Sequence, residues 1–147
     1  MTAPPQRFDW TLPAFFTRVT VGLIFAMAGF WKVFTLTPAG HAHRYFVDRF
    51  ADSWIPTWLL WATGVTVPVV ELVAGALLVV GLWRRPSAIA LGCVLLLVTY
   101  GHLLEEPLFD VHAYIFTRLV LLLPTLALGA ADDLWSVDGW RARRKGQ

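Results

Sequence analysis

Three ionisable side chains, Lys32, Glu71 and Arg118, stand within long apolar stretches. A charge at the centre of a bilayer costs at least about 2.5–3.5 kcal/mol even on the insertion scale, so such residues persist where they pair or work. Glu71 and Arg118 each lie 12 residues from the inner end of their stretch, roughly 18 Å of helix rise, and are the natural ion pair. Lys32, roughly 21 Å from Arg18, and Thr99, roughly 20 Å from its own inner end, fall in the same layer. Two cations against one carboxylate leave a surplus positive charge. It calls for an acceptor: an anion, a quinone carbonyl, a water cluster, or Glu106 and its neighbours reaching down. The plainer alternative is a Glu71–Arg118 pair that locks helix packing while Lys32 snorkels to the interface.

Other chemistry-bearing residues form no diagnostic pattern. His41, His43, His102 and His112 gather toward one side, with Glu105 and Glu106 beside them. Their spacing matches no metal or haem motif, so neither group is expected. Cys93 is the only cysteine, which excludes an intramolecular disulfide or dithiol relay, and it reads as a small buried apolar residue.

The elements that position these residues are membrane spans. Of 147 residues, 57% are hydrophobic and 15% charged, with the apolar residues collected into runs near the length that crosses a hydrocarbon core. We expect an all-α, integral membrane four-helix bundle in one domain, with spans near 14–35, 57–83, 87–104 and 111–130. Arg84, Arg85 and Pro86 read as a tight basic turn between the second and third spans. The outer connection, 36–56, carries Tyr45, Phe46, Phe50 and Trp54 among charges and reads either as an amphipathic surface helix or as a capping loop.

Arg7, the Arg84–Arg85 turn and the basic tail Arg141, Arg143, Arg144 and Lys145 share one side, so the positive-inside rule predicts N-in and C-in topology. The first span reads as a retained anchor. The tail reads as a topology signal, not a nucleic-acid site. Seven tryptophans near span ends, among them Trp31, Trp54, Trp58 and Trp83, read as interfacial anchors. At helix-face spacing the spans present Arg18, Gly22, Gly29 and Lys32; Gly64, Pro68, Glu71 and Gly75; Thr99 and His102; and Tyr114 and Arg118. These stripes should face inward. Pro68 should free a backbone carbonyl and kink its span, and Gly22, Gly29 and Gly75 should mark close helix approach.

Arg18 and Gly22 leading to Gly29 and Lys32, then Pro68, Glu71, Gly75, Gly81 and Arg84, with Arg118 and the closing run Asp132 to Asp138, resemble the DoxX family of bacterial four-helix membrane proteins. That family is related to the DoxD subunit of thiosulfate:quinone oxidoreductase. The resemblance implies a bacterial inner-membrane protein, in contact with lipid and other membrane subunits, that serves quinone-linked oxidation. Within that reading Lys32, Glu71 and Arg118 carry the chemistry and Thr99, His102 and Tyr114 contact the quinone. The rival reading is a non-catalytic accessory or assembly subunit, in which outer-loop aromatics such as Phe46, Phe50 and Trp54 make the association. The lone Cys93 argues against a self-contained sulfur redox enzyme.

Overall fold

The computed structural model describes residues 9–106 and 115–145. Among these the chain is helical without strands: α1 (Thr11–Phe34), α2 (Pro38–Ala42), a π-helical segment (His43–Val47), α3 (Thr57–Val80), α4 (Arg84–Glu105), α5 (Thr117–Ala127) and α6 (Val137–Lys145). Three helices, α1, α3 and α4, are long and apolar enough to cross a membrane, and α5 is a shorter apolar helix. The exposed surface is rich in Phe16, Met27, Phe34, Leu96 and similar side chains, as lipid requires. Trp31, Trp54, Trp58, Trp61, Trp83, Trp135 and Trp140 are all exposed, in keeping with interfacial anchors.

The α1–α3 pair is the spine. A Cβ on Gly29 would lie 2.3 Å from the Leu72 nitrogen, and one on Gly75 would lie 2.5 Å from the Ala26 nitrogen. Without glycine these antiparallel backbones could not approach so closely, and in lipid such close packing is what holds helices together. Phe25, Leu78, Leu91, Leu95 and Leu122 close the core against α4 and α5.

The break between α3 and α4 falls earlier than the expected basic turn. Gly81 takes a left-handed conformation (φ 79°) and its N–H caps the Leu77 and Leu78 carbonyls. Arg84, Arg85 and Pro86 instead form the first turn of α4, where Pro86 has no intrahelical N–H bond to lose. Arg49 pairs with Glu105 at the far end of α4, whereas Arg84 at its start holds the Leu128 and Gly129 carbonyls that follow α5. The end of α5 therefore lies beside the start of α4. Of the expected fourth stretch, 111–130, α5 is the described helical part.

The outer connection folds inward. Its residues His41 and Ala42 are buried, and Gly64 of α3 lets Ala42 approach so closely that a Cβ there would sit 2.5 Å from the Ala42 Cα. This segment is helical over residues 38–47 and packs against α3, so it combines features of both sequence readings. Cys93 is exposed, correcting its expected burial; it borders a surface groove between α3 and α4 with Thr66 and Val70.

Candidate functional site

The expected Glu71–Arg118 pair does not describe Glu71's contact. Glu71 accepts a hydrogen bond from Lys32 Nζ at 2.6 Å, with the carboxylate buried and the ammonium partly exposed. The correction follows from the spine: the glycine contacts bring α1 against α3, and Lys32, in the last turn of α1, reaches back along α3 to Glu71. Arg118 lies over the Phe25 ring, 5.9 Å from its centroid.

Lys32, Glu71 and Arg118 nonetheless line one cavity of about 370 Å³ beneath the outer connection. Phe25, Val67, Val94, Leu95, Val98 and Ile115 supply its apolar wall, and His41, Tyr45, Phe46, Arg49 and Phe50 form its cover. His102 also lines it, its Nδ1 donating to the Val98 carbonyl at 2.8 Å. Thr99 does not line it; its hydroxyl donates to the Leu95 carbonyl of its own helix. Tyr114 lies outside the described residues. Among the described residues no group of three His, Cys, Asp or Glu is placed to hold a metal ion.

His41 entered the sequence reading only as one of four outer histidines, yet it is built into this site. Pro68 has no N–H, so the Gly64 carbonyl four residues earlier lacks its helical partner. His41 Nδ1 donates to that carbonyl at 2.7 Å, while the ring packs against Tyr45 and Phe46. Burial pushes the imidazole pKa below its ordinary 6.5; the bond to Gly64 opposes that shift and nearby Lys32 reinforces it. The Gly64 and Pro68 spacing announced the vacant carbonyl, but not which donor would fill it.

A second buried ionic cluster lies at the opposite end of the bundle. Arg18, 1% exposed, bonds the wholly buried Asp133 through Nε at 2.6 Å, and its terminal nitrogens bond the carbonyls of Leu78, Val79 and Trp135. Arg84 Nε approaches the same carboxylate at 3.4 Å, and Asp138 receives the Arg84 backbone N–H. The sequence reading used Arg18 and Arg84 as boundary and topology charges and missed the cluster. Its signal was an acidic pair, Asp132 and Asp133, directly after the last apolar stretch, at the same end as both arginines.

A model of the DoxX family matches residues 14–112. The chain belongs to the DoxX family. The matched stretch contains Arg18, Lys32, His41, Pro68, Glu71 and Arg84, whereas Arg118 and the Asp132–Asp138 run lie beyond it, so the family match is shorter than the sequence resemblance suggested. No curated protein and no solved structure matches this DoxX chain. Family and fold together make it a multi-pass membrane protein.

Proposed function

We propose that this DoxX protein is a membrane subunit of a quinone-linked oxidoreductase complex and that the cavity beneath its outer connection receives a quinone or quinol head group. The observation carrying this reading is a hydrogen-bonded Lys32–Glu71 pair on the wall of an otherwise largely apolar cavity that also presents Arg118. The volume falls within the roughly 300–1,000 Å³ of small-molecule sites, and apolar walls with a few convergent polar groups are their usual construction. The donor set fits the ligand: an ammonium and a guanidinium suit carbonyl oxygens, while Phe25, Val94 and Leu95 suit a ring.

A bound quinone would supply two-electron, two-proton chemistry. The chain's own part is to place charge and protons. Lys32 and Arg118 stabilise negative charge developing at a ligand oxygen. Glu71 holds the Lys32 ammonium at the cavity wall and can exchange a proton with it. The outer connection covers the site, which strengthens these interactions by lowering access of water. The electron donor belongs to a partner subunit. The reading includes four spans, supported by the end of α5 lying beside the start of α4, with N- and C-terminal segments facing the cytoplasm of a bacterial inner membrane, as the basic residues on that side require.

The test is to purify the protein from native membranes in mild detergent, extract its lipids for mass spectrometry and titrate it with decylubiquinone. Retained quinone and saturable binding, both lost in a folded Glu71→Gln variant, are expected. Undiminished binding in Glu71→Gln would overturn the site. A stable partner protein with no quinone binding would leave the accessory-subunit reading in its place.

A further inference from the structure

Lys32 and Arg118 are donors, which favour the carbonyl-bearing form of a ligand, and the cavity's carboxylates, Glu71 and Glu105, are each engaged by a cation of the chain. His41 breaks this pattern. A backbone carbonyl can only accept, so the 2.7 Å contact between His41 Nδ1 and the Gly64 oxygen requires the proton on Nδ1. In the neutral ring Nε2 then carries a lone pair and no hydrogen. Nε2 has no hydrogen-bond partner among the described residues, and it is not among their sealed, unpartnered side-chain atoms, which are Arg84 Nε and Asp133 Oδ1. His41 lines the cavity, and its Nε2 is an acceptor that no described residue engages.

The surroundings keep it an acceptor. Lys32 from α1, Arg118 from α5 and Arg49 from the outer connection oppose a further positive charge on the ring, while Glu71 from α3 and Glu105 from α4 favour one. Each of those carboxylates is already engaged by a cation, Glu71 by Lys32 and Glu105 by Arg49. Tyr45 and His102 face the same space. Burial of the ring adds the same preference for the uncharged imidazole.

We propose that His41 Nε2 accepts a hydrogen bond from a ligand hydroxyl and so makes this cavity select the reduced, dihydroxy form, a quinol, over the corresponding quinone. This deepens the quinone-site reading and rests on it. Pro68 is the remote determinant: by leaving the Gly64 carbonyl vacant it fixes the His41 tautomer, and with it the acceptor.

Anaerobic titration of the detergent-solubilised full chain with ubiquinol-1 and with ubiquinone-1, followed by tryptophan fluorescence, tests it. The native protein is expected to bind the quinol roughly 3- to 10-fold more tightly, the discrimination of one net hydrogen bond. His41→Phe keeps a ring between Tyr45 and Phe46 and should abolish the preference, lowering quinol affinity more than quinone affinity, since the donors to the quinone carbonyls are untouched. Pro68→Ala returns an N–H to the Gly64 carbonyl and should weaken the preference with His41 still present. Nitrogen-15 NMR of labelled histidine should show His41 protonated at Nδ1 and bare at Nε2, a readout that needs no ligand. Equal affinities in the native protein, a preference surviving His41→Phe, or a proton on Nε2 would overturn the selectivity while sparing the quinone site. Failure of both ubiquinol-1 and ubiquinone-1 to bind the native protein would overturn both.

Discussion

The two ends of the bundle bury charge in opposite ways. At one end Arg18 and Arg84 converge on Asp133, and both guanidinium groups also bond carbonyls where α3 ends and after α5. A helix's last carbonyls lack intrahelical donors and carry partial negative charge, so they balance the second arginine. Gly81 and Gly139 pack against this cluster: a Cβ on Gly81 would meet Ser136, and one on Gly139 would meet the Asp133 carbonyl at 2.3 Å. Toward the other end Lys32 and Glu71 form a single contact on the wall of open space. The contrast teaches that burial of charge alone does not mark a site. Close-packed ions sealed away from open space join segments distant in the chain; ions beside a cavity are within reach of a ligand.

The comparison breaks most readily at Asp133. Asp133→Leu leaves Arg18 and Arg84 buried without their carboxylate, and should cost about 3–5 kcal/mol, seen as a large fall in thermal midpoint in detergent. Similar loss of quinone binding without a fall in stability would merge the two regions functionally and defeat the distinction. Gly29→Val forces apart the spine that brings Lys32 to Glu71. It should cost about 1–3 kcal/mol and weaken decylubiquinone binding as well, because spine and site are coupled.

Acid should act on the cavity cover alone. The His41 pKa is depressed in the folded protein, so the protein with α2 released binds more protons as pH falls below 6.5. The attachment of α2 is thus fully present above that value and weakens as pH falls through 6.5 toward the folded pKa. Hydrogen exchange should rise in residues 38–47 at low pH, and His41→Phe should remove this pH response. The smallest effect is expected at Arg49→Ala: its partly exposed pair with Glu105 should contribute no more than about 1 kcal/mol in thermal melts.

Much of the fold was legible because a hydrocarbon solvent imposes a length and an apolar composition on each span. The beginnings of α1 and α3, the close-packing role of Gly22, Gly29 and Gly75, and the interfacial tryptophans all follow from that requirement. Boundaries set by local backbone chemistry were less legible. Arg84, Arg85 and Pro86 read as a turn, although proline is equally at home in a helix's first turn, and the left-handed Gly81 had already ended α3.

The candidate site divides in the same manner. Lys32, Glu71, His102 and Arg118 stood out by charge or polarity within apolar runs, and they come to one cavity, whereas Thr99 stays outside it. Pairing could not be read from depth alone. Arg118 and Glu71 each lie 12 residues from the same end of their expected spans, but the choice of Lys32 as Glu71's partner depends on rotation about the helix axes and on the spacing allowed by Gly29 and Gly75. His41 was hidden for another reason, since its burial requires the outer connection to fold back onto Gly64.

The sequence by itself determined that this DoxX chain lives in a membrane and that charged side chains would stand among its apolar stretches, because the cost of apolar surface in water and of charge in lipid is paid residue by residue. Only the tertiary structure decided that Arg18, Arg84 and Asp133 form a sealed cluster, that Lys32 holds Glu71, and that His41 fills the carbonyl vacated by Pro68. Those outcomes depend on distances between segments far apart in the chain, which helix packing sets and local pattern does not encode.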